Sequence, residues 1–200
     1  MTSSPSSRLS TASLLAPGNR QRGDYWCIPA GIENLLRCGG YSTISQEAVV
    51  ASFVRQHVQP PAGADTLRES AGPTDFALMS DDEICRAFQR IPIPSANFGA
   101  FATVTNALLA QVTASRRLRV VRGLADSATY AQTVRSAIDE DEPILISLEN
   151  PTGGFHIVAV LGYTPKVLDV YDPELDRVIR VDISASAFGS DCLILKESKT

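Results

Sequence analysis

The strongest constraint on the fold lies in the second half of the chain. Five β-type runs follow one another there: "PILISLE" (143–149), "FHIVAVLGY" (155–163), "VLDVY" (167–171), "RVIRVDI" (177–183) and "CLILK" (192–196). Connections as short as "NPTGG" and "TPK" join antiparallel neighbours, because a parallel pair needs a longer crossover. "RLRVVRG" (117–123) reads as a further short strand. The segment "SATYAQTVRSAIDE" between them reads as a helix with Ser127 as its cap and Ala131, Val134 and Ile138 facing inward.

The first half has a different period. From Cys27 to Cys38 the apolar residues Ile28, Ile32, Leu35 and Leu36 recur at helical spacing, with Pro29 tolerated in the first turn and Gly39-Gly40 as the stop. A second helix is predicted over about 46–57 after the cap Ser45, carrying Val49, Val50, Phe53 and Val54 on one side. Residues 58–79 read as a long loop. "SDDE" at Ser80 is a capping box that opens a third helix, "IPIPSANFG" ends it, and a fourth spans about 100–114. Residues 1–20, rich in Ser, Thr, Pro and Gly, read as a flexible tail. The expected architecture is α+β: one domain over 21–200, its helical first half packed on a mainly antiparallel sheet.

Composition narrows the function. With 44% hydrophobic and 20% charged residues, the chain is globular. A net charge of −4, with no basic cluster longer than "SRR" (115–117), argues against nucleic-acid binding. No apolar run reaches the roughly 18 residues of a membrane span. Leu14-Leu15-Ala16 is too short for the core of a secretory signal, so the chain is expected to be cytoplasmic as made. The four cysteines (27, 38, 85, 192) show no CxxC spacing, and the histidines are only His57 and His156. No metal or other cofactor is therefore expected. Cys27 and Cys38 stand about 16 Å apart along one helix, beyond disulfide reach, so free thiols are expected.

Cys27 then draws attention. A helix N-terminus favours the thiolate over the thiol, and the thiolate is the nucleophile. A base and an orienting carboxylate would complete the set. His156 starts a strand after the flexible "TGG", where a side chain can project from the sheet end. His57 reads as a solvated residue at a helix end. Asp172 follows "VLDVY", sixteen residues beyond His156, where adjacent antiparallel strands can bring the two side by side. Its bland reading is a turn starter, since Asp172-Pro173 is a common turn opening. Asp169, mid-strand, is the competitor and is expected on the solvent face. Gln21, six residues before Cys27, can supply an amide donor to an oxyanion beside the Cys27 N–H.

Gln, Cys six later at a helix start, His on a strand and Asp sixteen later is an order that resembles the papain-like cysteine peptidases. "CIPAGIENLL" and "AIDEDEPILISLENPTGGFHIVAVLGY…VYDP" look most like the bacterial double-glycine (bacteriocin-leader) peptidase branch and related effector proteases. The resemblance covers roughly residues 21–173. Where that branch often has Asp-Cys-Gly, this chain has Trp26-Cys27-Ile28, and the region from "DDEICRAF" to "VTASRR" matches nothing in it. The resemblance implies a papain-like fold, Cys27, His156, Asp172 and Gln21 as catalytic residues, and a peptide or protein substrate. Hydrolysis, deamidation, transglutamination and acyl transfer all use this chemistry, and a domain that only binds peptides is a further reading. About twenty residues before Gln21 are too few for an inhibitory prosegment, so activity as made, or restraint by location or substrate, is expected. The Ser-rich tail resembles leaders of proteins delivered by specialised secretion systems, which would make a host protein a target.

Overall fold

The computed structural model describes residues 7–8, 20–58, 76–93, 97–124, 126–149, 154–184 and 186–198. Twelve elements follow in order: β1 (Ser7–Arg8), α1 (Cys27–Cys38), α2 (Gln46–His57), α3 (Asp81–Phe88), α4 (Phe98–Leu109), β2 (Arg116–Val121), α5 (Ser127–Asp139), β3 (Ile144–Glu149), β4 (Phe155–Tyr163), β5 (Val167–Asp172), β6 (Arg177–Asp182) and β7 (Phe188–Glu197). The fold is α+β. The strands form an antiparallel sheet in the order β2-β7-β3-β4-β5-β6. β1 pairs with Gly162 and Tyr163 of β4, beyond the point where β3 begins opposite Val160.

Most elements stand where periodicity puts them, and the corrections are local. Asp126, not Ser127, caps α5: its carboxylate accepts from the Thr129 N–H and hydroxyl, both at 2.8 Å. Asn97 caps α4, which ends at Leu109 and not near residue 114. β7 starts four residues before "CLILK", and β5 runs on to include Asp172. The Ser80–Glu83 capping box is formed in both directions. Most of the expected tail 1–20 and of the loop 58–79 lies outside the described residues, although Ser7–Arg8 forms the β1 pairing.

Both faces of the sheet are covered. Leu145, Ile157, Ala159, Leu161, Leu193 and Leu195 face the core shared with α1–α4. Ile144, Ile146, Val158, Val160, Cys192 and Ile194 face the core formed with α5. A sheet buried on both sides has no polar face, so β3, β4 and β7 read as continuous apolar runs. β2 is an edge strand, and the Asn106 side chain closes part of that edge. Its amide donates to the Leu118 carbonyl at 2.9 Å and its oxygen accepts the Leu118 N–H at 2.7 Å. Leu118 is thereby withheld from any incoming strand.

Candidate active site

Cys27 opens α1 with no side chain capping the first turn and no acidic residue in it. Pro29 has no N–H, so the first turn leaves only the Cys27 and Ile28 donors outside the helix ladder. Gly31, one turn on, sets the height of that end. A Cβ there would come within 3.0 Å of a Leu145 methyl and 3.2 Å of Ile157. The glycine therefore lets α1 lie close on β3 and β4.

The loop before Cys27 is held from three directions. Trp26 is buried, its indole N–H donating to the Phe88 carbonyl at 3.0 Å, and the Asp24 N–H donates to the Gln89 carbonyl at 2.8 Å. The Gln21 N–H donates to the Pro173 carbonyl at 2.8 Å, tying the loop to the turn after β5. The third anchor is polar and buried. Gln46 receives the Arg22 N–H at 3.1 Å and donates to the Arg20 carbonyl and to Glu33, at 2.9 and 2.8 Å. Glu33, 1% exposed, also pairs with Arg37 at 2.7 Å and Arg22 at 3.3 Å. Sequence reading missed this network. Its only cue is a carboxylate placed within the apolar stripe of "CIPAGIENLL".

His156 is the second residue of β4, which Gly154 enters with φ +86, a conformation open to glycine at little cost. Its Nε2 lies 2.9 Å from Asp172 Oδ1. One bulge decides that meeting. Ala159 and Val160 oppose Tyr171 and Val170, whereas Gly162 opposes Asp169, so Leu161 is an extra residue on β4. The shifted register places Asp172 opposite Val158, diagonal to His156 on one pleat. Without the bulge Asp172 would fall on the other pleat.

The same Asp172 oxygen accepts the N–H groups of Glu174 and Leu175 at 2.9 and 3.1 Å. Burial alone would raise the Asp172 carboxyl, but His156 and these N–H donors hold it below its ordinary range. Burial also pulls the His156 pKa down. The hydrogen bonds to Asp172 and to the Cys27 side chain, with their charges, outweigh it and carry the imidazole up to about 10. His156 thus turns Nε2 to the Asp172 carboxylate and Nδ1 to the side of Glu174, with the Cys27 side chain near enough to help raise the imidazole.

Gln21 reaches the same region in a different posture from the expected one. Its amide nitrogen donates to the carbonyls of Gly23 and Asp24 at 2.7 and 2.9 Å, so both protons are engaged within the loop. Its Oε1 is buried without a partner. Asp169, expected on the solvent face, is half-buried and ion-paired to Arg180 at 3.4 Å, on the pleat opposite Asp172. His57 ends α2 with its ring against Phe53, centroids 4.9 Å apart. Cys38, Cys85 and Cys192 are free thiols, each pushed up to about 12 by burial. Among the described residues no group of three His, Cys, Asp or Glu is placed to hold a metal ion, and no helix is long and apolar enough to cross a membrane.

No family model and no curated protein matches the chain. Among solved structures, one neighbour is a Bacillus anthracis protein described as a C39-like peptidase. It is 13% identical with a TM-score of 0.37, the match covering 51% of this chain and 60% of that one. Another is the Pseudomonas avirulence protein AvrPphB, 12% identical with a TM-score of 0.33, covering 100% of this chain and 97% of that one. At these TM-scores neither likeness bears on the activity of this chain.

Proposed function

We propose that this protein is a papain-like cysteine peptidase that cleaves peptide bonds through a thioester on Cys27. The observation that carries the reading is an imidazole hydrogen-bonded to a buried carboxylate and raised further by a thiol at a helix N-terminus with no side-chain cap. A thiol so placed passes its proton to His156, and the thiolate attacks the substrate carbonyl. The tetrahedral oxyanion forms beside the Cys27 N–H, with Gln21 as second donor once its amide turns from the Gly23 and Asp24 carbonyls. His156 gives its proton to the departing amine, leaving the acyl group on sulfur. Water, deprotonated by the same ring, then releases the acid. Asp172 holds Nε2 throughout and stabilises the imidazolium.

The test is a fluorogenic peptide-library screen on the full chain with Cys27→Ala alongside, and mass spectrometry of the protein after an epoxide probe. Cleavage that needs Cys27, with the probe on Cys27 alone, is the expected result. A folded protein that cleaves nothing and leaves the probe unreacted would rule out the reading.

A further inference from the structure

We propose that Glu174 makes this site selective for a cationic residue, Lys or Arg, immediately after the scissile bond; the proposal rests on the peptidase reading above. The argument starts from the division of labour on the imidazole. Nε2 is held by Asp172 at 2.9 Å, so proton traffic with the substrate runs through Nδ1. In acyl transfer the carbon–nitrogen bond breaks, the Cys27 sulfur–carbon bond forms, and the proton on Nδ1 goes to the leaving nitrogen. That nitrogen must come within about 3 Å of Nδ1. Glu174 Oε2 lies 3.8 Å from the same Nδ1. The first residue of the leaving fragment therefore emerges alongside the Glu174 carboxylate.

Beyond that long contact with the imidazole, Glu174 is open to a second cation. The turn at Asp172 uses only the Glu174 backbone N–H, and the side chain stands 67% exposed. It lines a cavity of about 280 Å³ with Arg20, Gln21, Arg22, Gly23 and Asp24, room enough for one extended side chain. The Arg22 guanidinium is turned away into its pairs with Glu33 and Glu47. Arg20 remains against two carboxylates, Asp24 and Glu174, so the cavity keeps a surplus negative charge.

One exposed ion pair is worth up to about fivefold in selectivity. The experiment is digestion of a proteome-derived peptide mixture by the full chain, with Cys27→Ala as blank and new termini read by mass spectrometry. Wild-type cuts should show Lys and Arg enriched over Asp and Glu by about two- to fivefold at the first position of the leaving fragment. Glu174→Gln should remove the enrichment, and Glu174→Lys should reverse it. Cuts without a charge preference there, or a preference that survives Glu174→Gln, overturn this proposal and leave the peptidase reading standing. No Cys27-dependent cuts overturn both.

Discussion

Glu33→Ala tests whether a buried ion network holds the loop before Cys27. The wild-type carboxylate is 1% exposed and makes three contacts: Arg37 at 2.7 Å, Gln46 at 2.8 Å and Arg22 at 3.3 Å. Removing one member of a buried ion pair commonly costs about 3–5 kcal/mol, because the partner charge is orphaned. Here the orphans can reach water, since the Arg22 and Arg37 side chains are 38% and 21% exposed. Gln46, fully buried, keeps its bond to the Arg20 carbonyl. The cost should therefore be about 2–3 kcal/mol, which lowers Tm by about 5–10 °C in a domain of this size. Glu33→Gln keeps the shape but sets its amide against other donors, and should fall between. Glu47→Gln removes the charge that pairs with Arg22 near the surface and should cost less than about 1 kcal/mol. Thermal melts give the stability, and the alkylation rate of Cys27 below the melt reports the loop, because Gln46 ties Arg20 and Arg22 on either side of Gln21. A Tm loss below about 1 °C would refute the burial argument. A large Tm loss with an unchanged Cys27 alkylation rate would refute the link from network to site.

Iodoacetamide at pH 7.5 should modify Cys27 at least a hundredfold faster than Cys38, Cys85 or Cys192, whose thiols are held near 12 by burial; equal labelling of the folded protein would remove the nucleophile. Asp172→Asn should move the alkaline limb of kcat/KM down by about one to three pH units, because the carboxylate is a main support of the raised imidazole pKa, while Asp169→Asn leaves the limb in place. His156 is raised above its unfolded value, so its stabilisation is fully present below pH 6.5 and is lost as pH rises through about 10; the Tm gap between wild type and His156→Gln should close over that window. Gln21→Ala should lower kcat on the order of 10²–10³ with little change in KM, whereas a loss under about tenfold would confine the side chain to bracing the Gly23 and Asp24 carbonyls.

What the sequence made legible was local. Helix starts with side-chain caps at Ser45 and Ser80, and the β-type runs of β5 and β6, are written within a few residues of where they act. The second helical layer was legible in principle: apolar runs in β3, β4 and β7 require cover on both faces, and α5 supplies it. The bulge at Leu161 was not. A single unpaired residue is set by hydrogen bonding between two strands, and the neighbouring Gly162 was its only trace in the sequence. Nor was the Glu33 network, whose partners come from positions 22, 37 and 46 and meet only after α1 and α2 pack.

Asp172 shows how the two kinds of information join. Sequence offered two readings of Asp172-Pro173, a turn opening and a carboxylate for the imidazole, as if one excluded the other. In the structure they share one oxygen. Oδ1 accepts the Glu174 and Leu175 N–H groups, a contact of two and three residues that closes the turn and fixes the carboxylate locally. His156 then meets an acceptor that is already oriented, so the long-range bond across the bulge orders only the imidazole. It follows that Asp172→Ala loses turn and partner together, while Asp172→Asn can keep the turn through its side-chain oxygen. The stability of the asparagine variant therefore reports the turn, and its pH–rate profile reports the imidazole.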